Sequence, residues 1–189
     1  MAGRYAMKKI GFTKKNAVLS AKEVARIAVF TATAIGAQYA FSAVPFVEIV
    51  TLLFAVFSYV FGGGRGALSA VAFALLRQLL FGFFPVVLIL YLIHFPLLSL
   101  TCGALRKAKL SGGKLLAVAV ILAVVCTIGF TLLDNLLTPV YYGYSARAAS
   151  AYFKASLPFM LGQSVCVAVT VGVLFLPLTK AIRKAFQKA

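Results

Sequence analysis

A few polar side chains interrupt an otherwise hydrocarbon sequence: Gln38, Tyr39, Glu48, Arg77, Gln78, Tyr91, His94, Asp134, Asn135 and Gln163. Polar and ionisable groups are costly in hydrocarbon and face the protein interior or a water-filled cavity. If they gather at one depth, they describe a ligand cavity open to one side. Each also has a plainer use. Arg77 snorkels outward or pairs with Asp134 or Glu48. His94 bridges helices as a hydrogen-bonded neutral imidazole. Glu48 caps the helix that follows it. Asp134 and Asn135 sit at a helix end where solvation is cheap, and Gln163 glues two helices together. Beyond Asn135, Pro139-Val-Tyr-Tyr-Gly-Tyr144 places Tyr141 and Tyr142 beside the cavity mouth. There they form either an interfacial aromatic belt or a lid that stacks on a flat ligand.

Catalytic and metal-binding patterns are missing from the sequence. It contains no GxxxxGK[ST], HExxH or GxSxG. One histidine and three acidic residues offer no Cys/His metal constellation and too few carboxylates for a membrane protease or phosphatase. His94 with Asp134 is the one pairing that suggests catalysis. The expectation is a non-enzymatic protein with no cofactor and no metal. Cys102, Cys126 and Cys166 lie in apolar runs without CxxC spacing and read as small buried hydrophobes.

Composition says what must hold these groups. The chain has 189 residues, 63% hydrophobic and 12% charged. Its mean hydropathy of +1.04 points to a polytopic membrane protein. Six spans are expected, at about 27–44, 49–61, 67–84, 86–105, 115–137 and 159–178, each near the roughly 17–25 residues that cross a bilayer except the short second. Pro45, Pro85, Pro139 and Pro158 fall at or near expected ends. Pro96 lies inside the fourth span, where it is expected to kink the helix. The fold class is therefore all-α with six transmembrane helices. A basic N-terminal segment (1–26) precedes the membrane domain (27–179), and a basic tail (180–189) follows it.

The chain carries 19 basic residues against 3 acidic ones, net +16. All the basic residues except Arg77, Arg147 and Lys154 fall in the N-terminal segment, the turns near Arg65 and Arg106, or the C-terminal tail. The positive-inside rule puts those segments and both termini in the cytoplasm. The charge is expected to meet anionic lipid rather than nucleic acid. Ser20-Ala-Lys-Glu23 matches a capping box, and no signal-peptide cleavage pattern is recognised at the N-terminus. With this threading the polar residues fall in the outer halves of four or five helices. The inner halves are plainer, as in Ala117-Val-Ala-Val-Ile-Leu-Ala-Val-Val125.

Small residues recur every four positions in the first span: Ala28, Ala32 and Gly36. Such a strip lets another helix approach closely, within this chain or from a partner. The strip, the basic N-terminus, Pro45-Phe46-Val47-Glu48 before a short second span, and the glycine turn around Arg65 resemble the substrate-binding S-components of energy-coupling factor (ECF) vitamin transporters. The resemblance covers nearly the whole chain. It implies a bacterial plasma-membrane subunit that captures a vitamin from outside, with Glu48, Tyr91, His94, Asp134, Asn135 and Gln163 at the pocket. It further implies that Ala28, Ala32 and Gly36 dock on an ECF transmembrane coupling protein served by two ATP-binding subunits. Cobalamin leads the expected ligands, ahead of folate, pantothenate, riboflavin or a queuosine precursor. The alternative is a self-sufficient channel or facilitator for small solutes, which needs a polar path through the inner half.

Overall fold

The computed structural model describes residues 19–108 and 110–187. The tail lysines and arginine at Arg4, Lys8, Lys9, Lys14 and Lys15, together with Lys109 and Lys188, lie outside the described residues. The described chain is helical throughout: α1 (Ala21–Phe41), α2 (Val50–Phe61), α3 (Gly63–Phe81), α4 (Pro85–Leu105), α5 (Gly112–Tyr141) and α6 (Ala146–Gln187). Five of them are long and apolar enough to cross a membrane; α2 is apolar but shorter. The protein is an all-α polytopic membrane protein.

Local chemistry sets several boundaries. The Ser20–Glu23 capping box forms in both directions and starts α1 ahead of the expected position. Pro85 occupies the first turn of α4, where its missing N–H costs nothing. Gly82, at φ 94°, ends α3 three residues before the expected limit.

The main departure is α6. The sequence places a loop at about 138–157, but the helix begins at Ala146 and runs through Pro158 and Pro177. Ala146, Ala148, Ala149, Ala151 and Ala155 are strong helix formers, and that local propensity outweighs the single amide Pro158 removes. Likewise α5 runs through Pro139 to Tyr141. At ~1.5 Å per residue α6 is about 63 Å long, twice a hydrocarbon core of about 30 Å.

The short helix is the centre of the bundle. α2 contacts all five other helices, and nine of its twelve residues are buried. Its length of about 18 Å is therefore accommodated by protein rather than by lipid. Its Phe54 meets Phe73 and Phe95 and its Tyr59 meets Phe175, in a core shared with Leu98 and Cys102. The other strong pairings are α3 with α4 and α5 with α6.

The α1–α2, α3–α4 and α5–α6 connections lie at one end of the bundle, called distal here; the starts of α1 and α3 and the end of α6 lie at the other, proximal end. Glycine lets the chain close up proximally. A Cβ on Gly103 of α4 would collide with the backbone of Gly63, and one on Gly66 with the Ser58 side chain. Basic residues finish this end. Arg65 Nη1 donates to the Phe61 carbonyl at 2.7 Å and Arg106 Nη1 to the Val60 carbonyl at 3.1 Å. They thus satisfy carbonyls at the negative end of α2. Arg65 also pairs with Glu23, the one salt bridge among the described residues.

Candidate functional site

Two adjoining cavities open at the distal end. The outer one, about 360 Å³, lies among α1, the 42–49 connection, α3, α4 and α6, and its lining includes Gln38, Phe46, Glu48, Arg77, Tyr91 and Gln163. The inner one, about 70 Å³, is bounded by Glu48, Thr51, Tyr91, His94, Thr127, Phe130 and Gln163. Glu48, Tyr91, Phe95 and Gln163 border both. Of the residues expected at a site, Glu48, Arg77, Tyr91, His94 and Gln163 thus come together from three helices and one connection.

Four of them, Glu48, Tyr91, His94 and Arg77, are held by identifiable contacts. Glu48 Oε1 accepts from the Thr51 amide at 2.9 Å, so the carboxylate caps α2 while facing the cavity. Glu48 therefore caps α2 and borders the cavities at the same time. Tyr91 accepts at its hydroxyl from Gln38 Nε2 at 2.9 Å, joining α1 to α4. Its ring stacks parallel to Phe73 at 5.8 Å and meets Phe95 edge-on at 5.1 Å. His94 is buried and makes no hydrogen bond among the described residues; its ring lies edge-on to Phe95 and Phe130. It links α4 to α5 through aromatic contact rather than the hydrogen bond expected of a bridging imidazole.

Arg77 forms no ion pair with Glu48 or Asp134 among the described residues. Its guanidinium carbon lies 5.2 Å from the centre of the Phe81 ring and 5.0 Å from that of Tyr91, within cation–π range. Nε and Nη1 are buried without a hydrogen-bond partner among the described residues, as is Gln38 Oε1.

The remaining expected residues sit elsewhere. Gln78 is buried and accepts from the Phe84 amide at 2.9 Å, closing the α3–α4 turn; it lines neither cavity. Asp134 accepts from Thr138 Oγ1 at 2.6 Å and from the Tyr152 hydroxyl at 2.7 Å. Asn135 donates to the Thr131 carbonyl and Ser156 Oγ. These bonds tie α5 to the early part of α6 and give Asp134 and His94 separate partners. Tyr141 and Tyr142 are half-exposed and pack on each other at 5.1 Å, with Tyr144 and Tyr152 continuing the cluster. They do not line the cavities.

The sequence does not single out Phe46, Thr51, Thr127, Phe130 or Tyr152 as site residues, and it offers Gln38 only as a member of the polar cluster. Thr51 had a signal in its capping distance from Glu48. Phe46 had none: it adopts φ 67°, uncommon for a bulky residue. Its ring fills the space where Gly162 of α6 lacks a side chain and lies 5.1 Å from Phe159.

Below the cavities the bundle is closed. Phe54, Phe73, Phe95 and Leu98 are at most 4% exposed and lie in contact with one another or with the same core. A separate apolar groove of about 740 Å³ runs along the outside of α1 and α3, with Ala28, Ala32 and Gly36 on one wall and Leu76, Leu79 and Leu80 on the other. The strip is exposed and adjoins the buried side of α1, whose Thr31 and Ile35 line the same groove. No family model, curated protein or solved structure matches the chain.

Proposed function

We propose that the chain is the substrate-capture subunit of a membrane importer for a vitamin or similar micronutrient, of the ECF type. In this reading it is non-enzymatic and multi-pass in a bacterial plasma membrane. The proximal end and both termini are cytoplasmic, and the distal cavity faces outside. The observation that carries the reading is the distal cavity. Polar groups from α1, α3, α4 and α6 converge on it with Glu48, above a floor of close-packed aromatic and aliphatic side chains. A cavity with one mouth suits capture better than conduction, since a channel needs a polar route onward.

The volume of the outer cavity, about 360 Å³, is near the small end of the roughly 300–1,000 Å³ range of small-molecule sites. That favours a compact ligand such as pantothenate over cobalamin, whose corrin ring would require the distal connections to open. Delivery inward then falls to partners: a coupling membrane protein docked along Ala28, Ala32 and Gly36, and two ATP-binding subunits. The exposed strip and the groove beside it support this, because small residues let a second helix approach closely.

Reconstitution tests the reading. The purified chain should bind its ligand without ATP and give no concentrative uptake alone in liposomes. Robust uptake by the chain alone would overturn it in favour of a self-sufficient facilitator.

A further inference from the structure

Arg77 sets the chemistry of whatever enters the outer cavity. An orphaned buried donor is destabilising, and more so when it is charged. Arg77 holds two such donors, Nε and Nη1, without a protein partner among the described residues. They belong to one guanidinium that borders the cavity and lies over the Phe81 and Tyr91 rings. The ring contacts restrain the guanidinium plane but satisfy no N–H in that plane. An arginine offers the two oxygens of a carboxylate two parallel bonds along its Nε–Nη2 edge or its Nη1–Nη2 edge, and each edge of Arg77 carries one of these unpartnered donors.

The rest of the lining narrows the choice. Glu48 borders the same cavity, with one oxygen engaged by the Thr51 amide and no cation paired to it among the described residues. A doubly charged phosphate would meet that carboxylate at close quarters; a single carboxylate meets less repulsion. Gln38 Oε1 is an unpartnered acceptor, since the same amide is fixed through Nε2 on Tyr91. Glu48 and Gln38 together ask for hydrogen-bond donors on the ligand.

We propose that the distal cavity takes a small monocarboxylate whose carboxyl group is received by one edge of the Arg77 guanidinium and which carries hydrogen-bond donors toward Glu48 and Gln38. This rests on reading the cavity as a capture site.

The test uses the purified full-length chain in detergent and a panel sorted by charge. Pantothenate, biotin and nicotinate are each paired with their own primary amide; riboflavin and cobalamin serve as ligands without a carboxylate, and thiamine as a cation. Affinities are read by titration calorimetry and thermal shift. At least one acid should bind, with its amide roughly 10- to 100-fold weaker. Arg77→Gln should lose the same factor for the acid and little for the amide. Arg77→Lys, which keeps the charge but not the fork, should recover only part of it. The acid–amide comparison on the unaltered chain stands even if a variant fails to fold.

Equal binding of acid and amide, or binding of only riboflavin, cobalamin or thiamine, overturns the carboxylate inference and leaves the capture reading intact. No binding by any compound of any charge overturns both.

Discussion

Gln38 near the end of α1 donates through Nε2 to the hydroxyl of Tyr91 in α4, 2.9 Å away and 53 positions on in sequence. This bond fixes the wall that α1 and α4 share around the outer cavity. It also orients the Tyr91 ring, which lies under the Arg77 guanidinium and against Phe73.

Tyr91→Phe removes the acceptor and leaves both ends of the Gln38 amide unpaired. It should lower stability by about 1 kcal/mol. A double-mutant cycle with Gln38→Ala should return a favourable coupling of about 0.6 kcal/mol, typical of an interhelical bond in a membrane protein. Thermal unfolding in detergent reads both. Strict additivity would mean that the two side chains do not meet.

Gly103→Ala places a methyl group against the Gly63 backbone, which has no side chain to swing aside. Overpacking of this kind costs about 1–3 kcal/mol. The variant should therefore melt lower, with the α2–α3 junction displaced. Gly64→Ala, in open space one residue beyond Gly63, is the control and should leave the melt nearly unchanged. Equal melts for the two would contradict the close approach of α3 and α4.

Gly162→Ala puts a carbon 2.6 Å from the Phe46 ring. Phe46 already holds an uncommon left-handed backbone, and its ring borders the outer cavity. The ring should leave α6, widen the mouth and speed ligand release while the fold persists. Stopped-flow dissociation measures this; an unchanged rate with an unchanged melt would show that Phe46 does not guard the mouth.

Tyr152→Phe should loosen the α5–α6 tie without touching the cavity, because it removes one of the two donors to Asp134. Stability should fall by about 1 kcal/mol, with ligand affinity within twofold of the parent (our threshold, about 0.4 kcal/mol by). A large loss of affinity would bring Asp134 back into the site.

The helices were legible because each apolar run is long, and the positions of Glu48, Arg77, Tyr91, His94 and Gln163 were legible because polar atoms stand out in hydrocarbon. The reading of Asp134, Asn135 and Gln78 was less complete, since depth along the bundle does not say which way a side chain faces. Asp134 sits at a plausible level yet turns toward Tyr152, a residue hidden in what read as a loop. That loop was misread because Arg147, Lys154 and Pro158 suggest an exposed connection, whereas a helix outside the hydrocarbon tolerates all three. The aromatic members, Phe46 and Phe130, were invisible among 17 phenylalanines.

Replacing Ala28 or Ala32 with Arg should block assembly with a coupling subunit and leave ligand binding intact, since both side chains are exposed in the α1–α3 groove. Pull-down beside calorimetry separates the two effects. Loss of ligand binding would mean that the strip matters to the fold of the chain itself.

Thiol accessibility in intact cells tests the central claim most directly. In a chain with Cys102, Cys126 and Cys166 replaced by Ala, single Gln163→Cys, Ser58→Cys and Ser99→Cys variants are exposed to a membrane-impermeant maleimide. Gln163→Cys should react from outside and be protected by ligand, while Ser58→Cys and Ser99→Cys, at fully buried positions toward the proximal end, should react from neither side. Labelling of Gln163→Cys only from the cytoplasm, or of all three from outside, would contradict an outward cavity with a closed floor.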